Sequence, residues 1–212
     1  MNDAELYEAR LELVDFCIDV FWDVPSESFV ERLLGGGIEL PEGSVNEPLD
    51  EGFALLREWR EENRDRHPEE VREELRAAYS DLFVGPRPPV LPHETYYRED
   101  TEFIGEGLAE VEASYAAAGW SPPEDYPEEN DFVAVELAFL RYLVERQRAG
   151  HEETFGFERV FIDEHLDHWV DAFVEDLREK SESGLFLAAG LVFQGLVRFE
   201  DELVAQMVPG GS

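Results

Sequence analysis

Asp131-Phe132-Val133-Ala134-Val135-Glu136-Leu137-Ala138-Phe139-Leu140-Arg141-Tyr142-Leu143-Val144-Glu145-Arg146-Gln147-Arg148 is the stretch that decides the fold. Phe132, Val133, Val135, Leu137, Phe139, Leu140, Leu143 and Val144 leave no broad polar face up to Val144, and Glu136 stands alone among them. A helix that is apolar nearly all round has to be covered by other elements. The stretch therefore predicts the centre of an all-α domain. Leu185 to Val197 reads in the same way.

Working outward, the rest of the chain is also helical in period. Leu6, Ala9, Leu13, Phe16, Cys17 and Val20 recur three and four apart, which predicts one inward face of a first helix. Ser26 can cap a short helix from Ser28 to Leu34, and Gly35-Gly36-Gly37 stops it. A helix from about Pro48 to Asn63 turns Phe53, Leu56 and Trp59 inward. Pro68 suits the first turn of the next helix, which runs to about Phe83. Further helices are expected over 102–118, 158–180 and 183–205.

Two segments break the pattern. Pro86, Pro88, Pro89 and Pro92 forbid regular helix across Gly85 to Asp100, which reads as an extended loop. A second proline-rich break spans Ser121 to Glu129. No strand pair or internal repeat is read. The expectation is one all-α domain over residues 1–208, with seven or eight helices, two proline-rich loops and a frayed tail at 209–212.

The 212 residues carry 51 Asp+Glu against 17 Lys+Arg, a formal net charge of −34. With 43% hydrophobic and 12% aromatic residues the chain still has enough apolar material for a core, which excludes wholesale disorder. The acidity excludes a nucleic-acid binder that works by neutralising phosphates, and it opposes docking on an anionic membrane. Lys180 is the lysine of the sequence, and every other basic residue is arginine. Carboxylates spread along the whole chain read as adaptation to a cytoplasm near molar salt, where the Debye length falls to about 3 Å. An acidic surface made for a basic partner is the competing reading. The N-terminus lacks the apolar core of a signal peptide, and Ser183 to Val197, the longest uncharged run, is short of the ~20 residues needed to span a bilayer. The chain is expected to be cytoplasmic.

Chemistry is sparse. Cys17 is the sole cysteine, on an apolar helix face, so it makes no internal disulfide and reads as a small buried hydrophobe. The triple glycine follows a helix and has no lysine near it, unlike a phosphate-binding loop. His165 and His168 stand three apart among Asp163, Glu164 and Asp167, a spacing that can ligate a metal. The plainer reading packs one of them beside Trp169. No Gly-x-Ser-x-Gly elbow occurs. The reading is of a protein without enzymatic activity and without a cofactor.

The irregular segments carry a resemblance. Tyr79-Ser80-Asp81-Leu82-Phe83-Val84-Gly85-Pro86, continuing to Pro92-His93-Glu94-Thr95-Tyr96-Tyr97, resembles the signature region of the TorD/DmsD family of cytoplasmic molybdoenzyme chaperones. There a helix ends in Tyr-x-x-Leu-Phe-x-Gly-Pro, and a Pro-x-Glu-Ser-x-Tyr-like segment follows, with Thr95 here in place of Ser. Glu128 to Leu140 is similar to the family's Glu-Pro-x-Asp-His-x-x-x-Glu-Leu-x-Phe-Met, with Glu129 for the proline and Phe132 for the histidine. Phe161-Ile162 followed by His165-Leu166 and Trp169-Val170 resembles its C-terminal pattern. The matches run in order from Tyr79 to about Glu200. The delta-type chaperones of nitrate reductase share the fold.

The resemblance implies a chaperone that binds the twin-arginine signal peptide of a molybdenum-containing oxidoreductase subunit of DMSO/TMAO-reductase type. It implies that the apo-enzyme is held back until its cofactor is inserted. The implied peptide-binding residues are Tyr79, Phe83, Pro86, Tyr97, Asp131, Phe132 and Glu136. Four of them also have a plain reading: Asp131 starts a helix, Tyr79 and Phe83 belong to the core, and Glu136 is a buried, hydrogen-bonded carboxyl. Phe132 weakens any role that needs an imidazole at that spot. A nitrate-reductase assembly chaperone and a structural helical subunit are the alternatives, and the long loops leave room for a domain-swapped dimer.

Overall fold

The computed structural model describes residues 3–41, 43–98, 104–123 and 126–207, and within them the domain is all-α. Its helices are α1 (Asp3–Phe21), α2 (Glu27–Leu34), α3 (Glu47–Asn63), α4 (Pro68–Phe83), α5 (Glu94–Tyr97), α6 (Ile104–Ala117), α7 (Val133–Arg148), α8 (Thr154–Phe161), α9 (Asp167–Lys180) and α10 (Gly184–Met207). A π-helical turn, Ile162–Leu166, joins α8 to α9. The expected tail and the first residues of the 102–118 helix lie outside the described residues.

As the all-round apolar pattern demands, α7 is interior: Val133, Ala134, Val135, Leu137, Phe139, Leu140, Leu143 and Val144 are all fully buried. Most of α10 is buried too, and it packs along α3, α1 and α9, while α1 also packs along α7. Ser26 caps α2 as its position suggested, its Oγ accepting from the Phe29 N–H at 3.2 Å. Asn46 caps α3 in the same way, accepting from the Leu49 N–H at 3.0 Å, and its amide donates to the Gly195 carbonyl of α10 at 2.8 Å. That second bond requires the two helices to approach closely, which explains Gly195. A Cβ there would lie 2.5 Å from Leu49 Cγ and 2.6 Å from the Leu49 nitrogen. Gly195→Ala is therefore expected to lower stability by about 1–3 kcal/mol, read as a lower melting temperature, because backbone cannot yield as a side-chain tip can.

Three expectations need correction. The buried face of α1 is centred on Arg10, Val14, Cys17 and Phe21, with Leu6, Ala9 and Leu13 only half-buried, because a guanidinium has claimed an interior position. The segment 85–100 is not wholly extended: Glu94–Tyr97 form one turn of helix once the prolines have passed. The helix expected over 158–180 begins earlier, at Thr154, and is interrupted by the π-turn. Inserting a residue in this way changes which side chains face inward. His165 turns into the core and His168 remains exposed, although both border one groove beside α6.

Candidate functional site

The two proline-rich segments meet. The Glu94 N–H donates to the Asp131 carbonyl at 3.0 Å, and the Val133 N–H donates to the Pro92 carbonyl at 2.9 Å. These bonds make an isolated antiparallel bridge between His93 and Phe132. Asp131 fastens the same junction through its side chain. One carboxylate oxygen accepts from the Thr95 N–H at 3.1 Å and the Thr95 hydroxyl at 2.5 Å, and the other lies 3.0 Å from His93 Nδ1. Asp131 thus caps α5 from across the junction and does not cap its own helix, where Phe132 stands at the N-cap position. Burial would raise its pKa, but the His93 and Thr95 hydrogen bonds outweigh burial and hold it below the usual carboxylate range.

Behind the junction lies a buried polar cluster. Glu94 accepts from Arg98 at 2.8 Å and faces His165 Nδ1 at 3.0 Å, and the far nitrogen of His165 lies 2.9 Å from Ser114 Oγ. Glu136 is fully buried, with Oε2 accepting from the Trp169 indole N–H at 3.1 Å and Oε1 without a hydrogen-bond partner. Burial, and then the neighbouring Glu94 carboxylate, raise Glu136 well above the ordinary range, so its carboxyl stays protonated. A carboxyl whose folded pKa is raised stabilises the fold fully below its unfolded pKa, and that contribution is lost as pH rises through the folded value. Glu136→Gln, which keeps an acceptor for Trp169, is expected to match the parent's melting temperature only near pH ~4, at or below the ordinary carboxyl pKa. It should exceed the parent in alkaline buffer; identical alkaline melting would contradict a buried neutral carboxyl.

On the outer side of the junction a cleft of about 620 Å³ opens between the loops. Its lining comes from the end of α1 (Trp22, Asp23), from α4 (Tyr79, Phe83), from the first loop (Val84, Gly85, Pro88, Leu91, Pro92, His93), and from the second loop and the start of α7 (Tyr126, Pro127, Glu128, Phe132). The aromatic walls are mutually supported. Phe83 sits edge-on against Tyr79 at 5.1 Å and Phe186 at 5.4 Å, and Tyr126 lies over Trp22 at 3.9 Å between ring centroids. The tyrosine hydroxyls hold the frame: Tyr79 donates to the Phe21 carbonyl at 3.2 Å and Tyr126 to that of Trp22 at 2.9 Å. Asp23 and Glu128 are exposed, and their charges raise the pKa of both tyrosines beyond the larger effect of burial. A cleft with aromatic walls and carboxylates at its mouth suits a cation carried beside an apolar group.

The structure brings Tyr79, Phe83 and Phe132 together in this cleft. Pro86 is exposed on the loop beside it without lining it. Tyr97 faces elsewhere, donating to Asp176 at 3.1 Å and stacking near Trp169. The carboxyls of Asp131 and Glu136 are buried behind the cleft, Asp131 bonded to His93 and Thr95 and Glu136 to Trp169, so a role for them there would be to hold its wall. Trp22, Asp23, His93, Tyr126 and Glu128 are the lining residues that sequence reasoning did not single out. A half-exposed Trp-Asp pair at a helix end and a Tyr inside a proline-rich break were the available signals. A second groove of about 590 Å³, between α1, the 37–41 loop and α3, is more apolar at its base. Its rim acids Asp15 and Asp19 are paired with Arg141 and Arg32, while Glu12 and Glu39 on the same rim are exposed.

Comparison with known proteins follows the same region. Residues 43–175 match the family described as nitrate reductase delta subunit. The chain is 23% identical over 152 residues to a chaperone protein TorD of Vibrio cholerae serotype O1, covering 69% of each chain. A TorD from another strain of that organism is 26% identical over 133 residues, covering 60% of each. The TorD of Vibrio parahaemolyticus is 30% identical over 133 residues, covering 59% of this chain and 60% of its own.

Proposed function

Because the chain belongs to the nitrate reductase delta subunit family, whose TorD-like members are non-enzymatic maturation chaperones of redox enzymes, we propose that it is a cytoplasmic chaperone for the twin-arginine signal peptide of a molybdenum-containing oxidoreductase subunit. The client class we favour is DMSO/TMAO-reductase type, since the curated relatives are TorD chaperones. Assembly of a nitrate reductase is the second reading, favoured by the description of the matching family as nitrate reductase delta subunit.

The observation that carries the proposal is the cleft between the loops, with its aromatic walls and the exposed carboxylates Asp23 and Glu128. A twin-arginine peptide offers two guanidinium groups followed by an apolar stretch. The carboxylates match the first, and Tyr79, Phe83 and Phe132 match the second. Asp131 and Glu136 serve as positioning residues: Asp131 locks α5 against the start of α7, and Glu136 supports the same junction from the core. Tyr97 and Pro86 flank the site. The acidic surface fits a cytoplasm of high salt, in which an exposed ion pair is heavily screened. Burial of the peptide's apolar stretch then supplies most of the affinity, at ~25 cal/mol per Å² less ordering costs.

The experiment is a fluorescence titration of the purified protein, in ~2 M KCl to match that ionic regime. Twin-arginine peptides of molybdoenzymes encoded in the same genome are compared with that of an unrelated exported protein. Selective binding of a molybdoenzyme peptide is expected. Equal affinity for all of them, or binding to none by a folded protein, would contradict the proposal.

A further inference from the structure

His93 sits at the floor of the cleft in an unusual position. Its Nδ1 is fixed by Asp131 at 3.0 Å, its ring packs edge-on against Phe132 at 5.3 Å, and its Nε2 points toward the Glu128 carboxylate at 3.8 Å. The ring is 19% exposed and Glu128 is 49% exposed, so both can be reached from the cleft. We propose that His93 is a proton-operated competitor for the cation subsite, so that a guanidinium entering beside Glu128 expels the proton from Nε2.

The geometry dictates the order of events. Asp131 is a carboxylate, and it accepts the Nδ1 proton, which leaves Nε2 as the site that gains or loses the second proton. When Nε2 is protonated, the imidazolium faces Glu128 and cancels the charge that a guanidinium would use. When Nε2 is bare, its lone pair and the carboxylate together form an acceptor pair open to an N–H donor. The two cations cannot share this gap, because they would lie within contact distance in a partly desolvated cleft. The other charged or titratable groups of the surrounding elements do not reverse the sign. Asp23 from the end of α1 is acidic, Tyr79 and Tyr126 are phenols with raised pKa, and Glu94 on α5 is turned away to Arg98 and His165. Binding is thus linked to release of the Nε2 proton, and affinity rises with pH.

This rests on the peptide-binding reading above, and the test separates the two. Affinity for a twin-arginine peptide is measured across pH ~5.5 to ~8 by calorimetry in two buffers of different ionisation enthalpy. The parent is expected to gain about five- to tenfold in affinity and to release close to one proton. His93→Gln, whose amide can still donate to Asp131, should bind at the parent's high-pH affinity with a flat profile. Glu128→Gln, a surface change that spares the fold, should bind at about the parent's low-pH affinity throughout and lose the dependence. A flat profile in the parent, or an unchanged one in His93→Gln, would overturn the proposal. If no peptide binds, the reading of the cleft as a signal-peptide site fails, and the proton competition is then read with arginine amide alone. A fall in the His93 Cε1–H titration midpoint on adding arginine amide supports it, and an unmoved midpoint overturns it.

Discussion

Arg10→Ala is expected to cost about 3–5 kcal/mol of stability, the largest effect of any single substitution considered, since it leaves buried carboxyls without their cation. Arg10 is 1% exposed. Its guanidinium donates to Glu200 at 2.9 Å, to Gln147 at 2.8 Å and to Glu158 at 3.0 Å, tying α1 to α7, α8 and α10. Gln147 donates in turn to Glu158 at 2.6 Å. One arginine facing two acids leaves a carboxyl in excess. Burial, and then Glu200, push Glu158 up to about 8 against the pull of Arg10. The sign follows: a raised carboxyl contributes fully below its unfolded pKa, and the contribution fades as pH climbs through about 8. The parent should therefore melt lower at alkaline than at mildly acidic pH, and Glu158→Gln should flatten that slope. Arg10→Met combined with Glu158→Gln and Glu200→Gln should recover most of the loss, as apolar or neutral replacements of buried ion clusters do. Thermal melts of the four chains at two pH values check all of this.

Phe83→Ala carries the largest expected effect on binding, a loss of about tenfold or more in peptide affinity. Phe83 is only half-buried, unlike Tyr79, so truncating it removes cleft wall while the core beneath keeps Phe186 and Phe21. Its melting temperature should fall less than that of Tyr79→Ala, which separates loss of a site from loss of the fold. Salt distinguishes the source of the affinity. Between ~1 and ~3 M KCl the binding constant should hold or rise, because guanidinium–carboxylate attraction is already screened at the lower concentration and apolar burial is not weakened by the added salt. A steep fall with salt would assign the affinity to Asp23 and Glu128 instead.

How much of this was legible in the sequence depends on the kind of force involved. The all-α fold was legible because burial leaves a period: α7 and α10 read as interior helices from their apolar runs alone, Ser26 marked a helix start through a local hydrogen bond, and Pro68 marked one through its fixed backbone angle. What was not legible came from partners far apart in the chain. Arg10 was not singled out, because Glu158 and Glu200, which pair with it, lie on other helices. Asp131 looked like the first residue of its own helix, whereas its carboxylate caps α5 across the junction. The turn at Glu94 was hidden by four nearby prolines, and the π-turn left no local signature. For the cleft, Tyr79, Phe83 and Phe132 came from a motif, while Trp22 and Tyr126 meet them only through tertiary packing. Phe132 replaces a histidine of the family pattern, but an imidazole is still present at that spot, since His93 stands against the Phe132 ring.

The measurement that tests the central claim most directly is hydrogen exchange of the folded protein with and without a twin-arginine peptide of a molybdoenzyme from the same genome. The account predicts slower exchange confined to the segments 83–97 and 126–133, with little change along the groove between α1 and residues 37–41. Protection of that groove instead, or no protection at either place while the peptide is bound, would contradict the assignment of the cleft between the two loops as the binding site.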